Sequence, residues 1–84
     1  VAVATSPMLT DSFPADEKRR TKSLAALDAV VAARKADGDT KIAVLAIDEQ
    51  ISSDLYGCDF HPSKDTAKKM SDKLVAFAKA NLGW

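Results

Sequence analysis

The sequence is short of most residues that announce a function by themselves. Its 84 residues include one cysteine, one histidine, one tryptophan and one tyrosine. A lone Cys58 closes no disulfide within the chain, so this is not a disulfide-stapled miniprotein. A single histidine and a single cysteine are too few for a zinc site. Charge of one sign is also missing. Twelve basic and twelve acidic residues cancel to a formal net charge of zero. That argues against the electrostatic footprint needed to hold nucleic acid or an anionic membrane surface. No apolar run approaches the roughly 18 residues that span a bilayer, and no signal peptide is visible. Residues 1–4, Val-Ala-Val-Ala, read as the middle of a protein rather than a natural beginning.

What is present is an ordinary globular balance, with 46% hydrophobic and 29% charged residues. Residues 1–4 are short and apolar and end before Pro7, which cannot extend a ladder, so they are expected to form a buried strand. A loop follows. Pro14 suits a first helical turn, and Asp16 and Glu17 suit the positive end of a helix. Leu24, Leu27 and Val31 share one face of that helix, and Gly38 suits the position just past its end. The basic cluster Lys18, Arg19, Arg20 and Lys22 reads as a solvated helix face. Residues 41–47, KIAVLAI, are continuously apolar, as in parallel strands covered on both faces. Ser63 is a candidate N-cap for a last helix, and Asp65 supports it. Ala67, Met70, Leu74, Phe77, Ala78 and Leu82 form its apolar face, and Gly83 stops it. Trp84 is expected to pack against the sheet.

The order strand, helix, strand, loop, helix predicts an α/β chain with a right-handed βαβ unit and two parallel strands. Two strands alone leave bare edges and faces, so further strands are expected from elsewhere, either in the same polypeptide or from a partner chain.

The chemistry concentrates in Gly57-Cys58-Asp59-Phe60-His61-Pro62-Ser63. The segment follows the second strand, at the sheet edge where open parallel sheets place ligands. His61 can take a proton near neutral pH. Asp59 can orient its ring, and Pro62 restricts His61 to extended backbone. A plain loop contact between His61 and Asp59 is the bland alternative. Cys58 is a buried thiol, half of a bridge to another segment, or a nucleophile beside His61.

This block, followed by Thr66, Lys69-Met70 and Leu74, resembles the last block of SGNH (GDSL-type) hydrolases. It is most similar to carbohydrate esterase family two, the acetyl esterases of plant cell-wall polysaccharides. There the block runs Gly-Cys-Asp-aromatic-His-Pro, and the chain can end in Leu-Gly-Trp, as Leu82-Gly83-Trp84 does here. Residues 1–7, residues 30–33 and Gly38-Asp39 look like the preceding strand and crossover helix.

The resemblance implies a three-layer, flavodoxin-like α/β fold. Residues 1–84 would be the C-terminal part of one catalytic domain, supplying its last βαβ unit and last helix. It implies a secreted serine esterase that deacetylates polysaccharide, with His61 as base, Asp59 as its orienter, and no cofactor or metal. One residue separates Asp59 from His61 where most SGNH members have two, so a backbone carbonyl can replace Asp59 and leave a Ser–His dyad. Phe60, Ser6, Met8 and Phe13 are candidates for lining an acyl or sugar subsite; the bland alternatives are packing behind the loop for Phe60 and an ordinary connecting loop for the others. The family's Gly-Asp-Ser nucleophile block and its oxyanion glycine and asparagine blocks do not occur here. The chain alone is therefore expected to be inactive, with the rest of the domain as its partner. The competing reading is a noncatalytic α/β structural module, or one chain of a processed two-chain assembly.

Overall fold

The computed structural model describes residues 1–83, so the expected packing of Trp84 lies outside the described residues. Strand β1 spans Ala2–Ala4, helix α1 Arg19–Ala36, strand β2 Ala43–Leu45 and helix α2 Lys64–Leu82. Two short 3₁₀ turns, Ser52–Asp54 and Cys58–Phe60, lie between β2 and α2. The strands pair in parallel, Ala2 with Ala43, Val3 with Val44 and Ala4 with Leu45. The α/β class and the parallel βαβ unit are thus both present, as a two-stranded sheet with two helices.

The core lies around β2. Ile42, Leu45 and Ile47 are buried there, with Val31 from α1 and Ala78 from α2. β1 departs from expectation: Ala2 and Ala4 are exposed and Val3 is only half-buried. An apolar strand is buried only when something covers it, and β1 has a neighbour on one edge alone.

The first helix also starts differently. Pro14 is not in its first turn but accepts the Glu17 N–H at 3.1 Å in a separate turn, and Asp16 and Glu17 precede the helix. The cap comes from further away. The Asp11 carboxylate accepts the Thr21 backbone N–H at 2.9 Å and also the Thr21 hydroxyl. Thr21 is the third helical residue, where a first-turn N–H otherwise lacks a partner. At the other end Gly38, at φ 95°, donates to the Lys35 carbonyl at 3.0 Å, and Asp39 donates to Arg34 at 3.0 Å. That pair of bonds is a Schellman closure, and its positive φ is why glycine suits position 38.

Helix α2 begins as its sequence suggests. The Ser63 hydroxyl accepts the Thr66 N–H at 3.2 Å, and Gly83 ends the helix at φ 71°. Ala78 is buried, with Met70 and Phe77 half-buried, yet Leu74 and Leu82 on the same expected face are 50% and 51% exposed.

The remote cap gives a pH-dependent test. Hydrogen bonds from the Thr21 hydroxyl and N–H hold the Asp11 carboxyl below its ordinary value near 3.8. A carboxyl lowered by folding contributes stability above its unfolded value, and that contribution fades as pH falls through the folded value. Asp11→Asn is therefore expected to lower the melting temperature by roughly a few degrees at pH 7. The stability difference between parent and variant in thermal scans should shrink as pH falls below 3.8 and vanish once Asp11 is protonated in the folded state as well.

Candidate functional site

The C-terminal ends of both strands are tied together at one backbone atom. The Ile47 carbonyl accepts the buried Thr5 hydroxyl at 3.0 Å and the Arg20 Nη2 at 2.7 Å. Arg20 therefore does not belong to a solvated basic face. Its guanidinium reaches from the first turn of α1 to the end of β2 and is partly buried there. Three residues on, the Gln50 N–H donates to the Pro7 carbonyl at 2.9 Å. The Gln50 side chain donates from Nε2 to the Phe60 carbonyl at 2.6 Å. Gln50 thus links the loop after β1 to the segment that carries His61.

That segment is closed on itself. Tyr56 and Pro62 form an antiparallel bridge, Gly57 donates to the His61 carbonyl at 2.8 Å, and His61 donates to Cys58 at 3.0 Å. Gly57 suits the close approach, because a Cβ there would lie a tight 3.3 Å from both the His61 and Pro62 carbonyl oxygens. Between Cys58 and His61 the backbone turns through two left-handed residues, Asp59 at φ 52° and Phe60 at φ 59°. Aspartate tolerates this region, whereas a bulky phenylalanine does not. The strain is of order 1–2 kcal/mol per residue. The Gln50 bond and the tilted Tyr56–Phe60 ring pair, with centroids 5.6 Å apart, oppose it. Such a ring pair contributes about 0.5–1.5 kcal/mol. His61 itself is extended, at φ −62° and ψ 156°, as Pro62 requires.

Two ion pairs hold the preceding loop against α2. Lys69 Nζ lies 2.6 Å and 2.7 Å from the two Asp54 carboxylate oxygens, and Lys73 lies 2.8 Å from Asp48. Asp54 is 15% exposed, so the first pair is less screened than the second.

The candidate residues fall into two groups. Met8 and Phe60 meet in a groove of about 520 Å³, together with Phe13, Gln50 and Tyr56. Asp59, His61 and Ser6 stand outside its lining. The Ser6 hydroxyl accepts the Met8 N–H at 3.1 Å and so serves the turn after β1. His61 and Asp59 are both exposed. Among the described residues, no hydrogen bond joins the Asp59 carboxylate to the imidazole, and the imidazole makes none with any other group. Cys58 is a free, exposed thiol rather than a buried one, in a turn whose residues 58–61 are all exposed.

Tyr56 and Gln50 escaped the sequence reading. Tyr56 had a usable signal, being the aromatic nearest Phe60 before the Gly57 turn, but Gln50 had none. Among the described residues, no three His, Cys, Asp or Glu side chains gather as a metal-ligand set, and no helix is long and apolar enough to cross a membrane. No known protein family, curated protein or solved structure matches the chain.

The Gln50 link makes a direct prediction. Gln50→Ala removes one donor to the strained turn, worth about 0.5–1.5 kcal/mol. Amide exchange at His61 should then rise roughly two- to tenfold, while exchange at Leu45 in β2 stays unchanged.

Proposed function

We propose that this chain is the C-terminal part of an SGNH-type serine esterase domain. The chain supplies the last two strands and last two helices of a three-layer, flavodoxin-like sheet. The esterase removes acetyl groups from plant cell-wall polysaccharides outside the cell, and it uses neither metal nor cofactor. The observation that carries this reading is the state of His61. An exposed imidazole, without a hydrogen-bond partner among the described residues, sits on a closed, strained turn beyond the C-terminal ends of two parallel strands. Strain held by surrounding bonds is common where a side chain must be aimed, and ligands of open parallel sheets bind at that edge. The sequence block from Gly57 to Ser63 adds the family likeness.

The chemistry needs a serine from the rest of the domain. Its hydroxyl attacks the acetyl carbonyl while His61 takes the proton. His61 passes that proton to the departing sugar oxygen, leaving an acetyl-serine. It then takes a proton from water, the hydroxide equivalent attacks the acyl group, and acetate leaves as the serine is reprotonated. The groove of Met8, Phe13, Tyr56 and Phe60 offers ring faces for sugar; Phe13 and Phe60 are 79% and 71% exposed. The short Asp59–His61 spacing, with no bond from Asp59 to the ring among the described residues, favours a Ser–His dyad.

The test is acetate release from acetylated xylan, and p-nitrophenyl acetate hydrolysis, by this chain assembled with the serine-bearing part. His61→Ala should lower kcat by about 10²–10⁴. Retention of most activity would sink the assignment and leave the noncatalytic module. Asp59→Asn should stay within about tenfold of the parent; a fall near 10⁴, as in a Ser-His-Asp triad, would restore Asp59 as orienter.

A further inference from the structure

The side-chain amide of Gln50 is used at one end only. Its Nε2 donates to the Phe60 carbonyl at 2.6 Å. Its Oε1 is buried and has no hydrogen-bond partner among the described residues. A buried acceptor left unpaired costs as much as, or more than, one ordinary hydrogen bond returns. The surroundings do not need an amide either. Gln50 lines a cavity of about 210 Å³ with the apolar Ile47, Ile51 and Met70. The charged groups there, Asp48, Asp54, Lys69 and Lys73, are paired with one another. By stability alone, an apolar side chain of the same length would serve position 50 at least as well.

What the amide gives instead is seen in the bonds around His61. The two peptide planes flanking the His61 Cα are both held at their polar atoms. In the first, the Phe60 carbonyl accepts from Gln50 and the His61 N–H donates to Cys58 at 3.0 Å. In the second, the His61 carbonyl accepts from Gly57 at 2.8 Å, and Pro62 has no N–H to hold. The bonds with Gly57 and Cys58 lie inside the turn and fix its shape. Among the described residues, the Gln50 bond is the one hydrogen bond that reaches residues 57–61 from outside residues 56–62. Gln50 in turn donates its own N–H to Pro7 at 2.9 Å, just past β1. Beyond its covalent ends, the turn is therefore placed relative to the strands through this one side chain.

We infer that Gln50 is the positioning residue of His61, kept at a cost in stability. It touches no reacting group and aims the imidazole through the Phe60 carbonyl. The aim of the ring is a property of this chain, whereas its effect on rate rests on the esterase reading. A general base misplaced by about 1 Å loses on the order of 10²-fold in rate. The signature of such a residue is a split. Replacing its amide disturbs His61 without weakening the fold.

Gln50→Met keeps the length of the side chain and removes both polar atoms. The variant should melt at or above the parent temperature. In the 84-residue chain, residual dipolar couplings of the amides of residues 57–61 should depart from the frame that fits the strands and helices, while the Gly57 amide stays protected. In the assembly with the serine-bearing part, kcat on p-nitrophenyl acetate should fall about tenfold to a hundredfold, with KM within about twofold. Parent-like couplings overturn the inference. A parent-like kcat in an active assembly also overturns it and leaves the esterase reading standing. A melting temperature lowered by several degrees overturns it as well, because Gln50 would then be an ordinary structural contact. An inactive parent assembly removes the esterase reading, and the couplings and melting temperature then decide the inference on the chain alone.

Discussion

The Ile47 carbonyl is the atom on which the arrangement turns. A carbonyl oxygen offers two lone pairs, and here Thr5 and Arg20 use both. The first bond fixes the end of β1 beside the end of β2. The second brings the start of α1 to the same point, with a charged donor that makes it stronger than a neutral bond. Three elements therefore converge at the C-terminal edge of the sheet. A three-residue parallel ladder makes few bonds of its own, so this convergence sets where the edge loops begin.

From that point the order is passed along the chain rather than through a core. Gln50 fastens the loop after β1 through Pro7 and the turn carrying His61 through Phe60. Lys69 and Lys73 pull the intervening loop onto α2, whose own start is fixed by Ser63 two residues after His61. His61 is thus held from both sides by backbone, while among the described residues its ring makes no hydrogen bond. The strain at Asp59 and Phe60 persists because these ties outnumber the two residues that bear it. A site fixed this way is precise in its backbone and open in its side chain.

Local signals made much of this legible. Apolar runs located both strands, Ser63 and Gly83 bounded α2, and Gly38 marked the end of α1. Pro62 foretold the extended backbone of His61. Long-range contacts hid the rest. The cap of α1 comes from Asp11, ten residues before the N–H it accepts, so the nearer acidic pair misled. Arg20 sits in a run of charges that looks solvated by period, and only the tertiary structure shows its reach to Ile47. Burial was misjudged at Ala2, Ala4, Leu74 and Leu82 for one reason. Sequence pattern states which face is apolar, not whether anything covers it. At the site, the residue types at 59 and 61 were legible, but their mutual geometry was not. It depends on a left-handed turn that neither Asp59 nor Phe60 announces.

The chain has an uncovered apolar flank, and if His61 acts as the base proposed above it needs a nucleophile from elsewhere; one geometry meets both conditions. A strand added parallel to β1 ends at the same sheet edge as β1 and β2, because parallel strands share their direction. Its following loop then emerges at the edge where residues 5–13 leave β1. An antiparallel neighbour would cover the same alanines but deliver its preceding loop to that edge. The direction of the added strand therefore decides which of its loops meets His61. For a nucleophile borne on a strand-to-helix turn, only the parallel direction brings that turn to the imidazole.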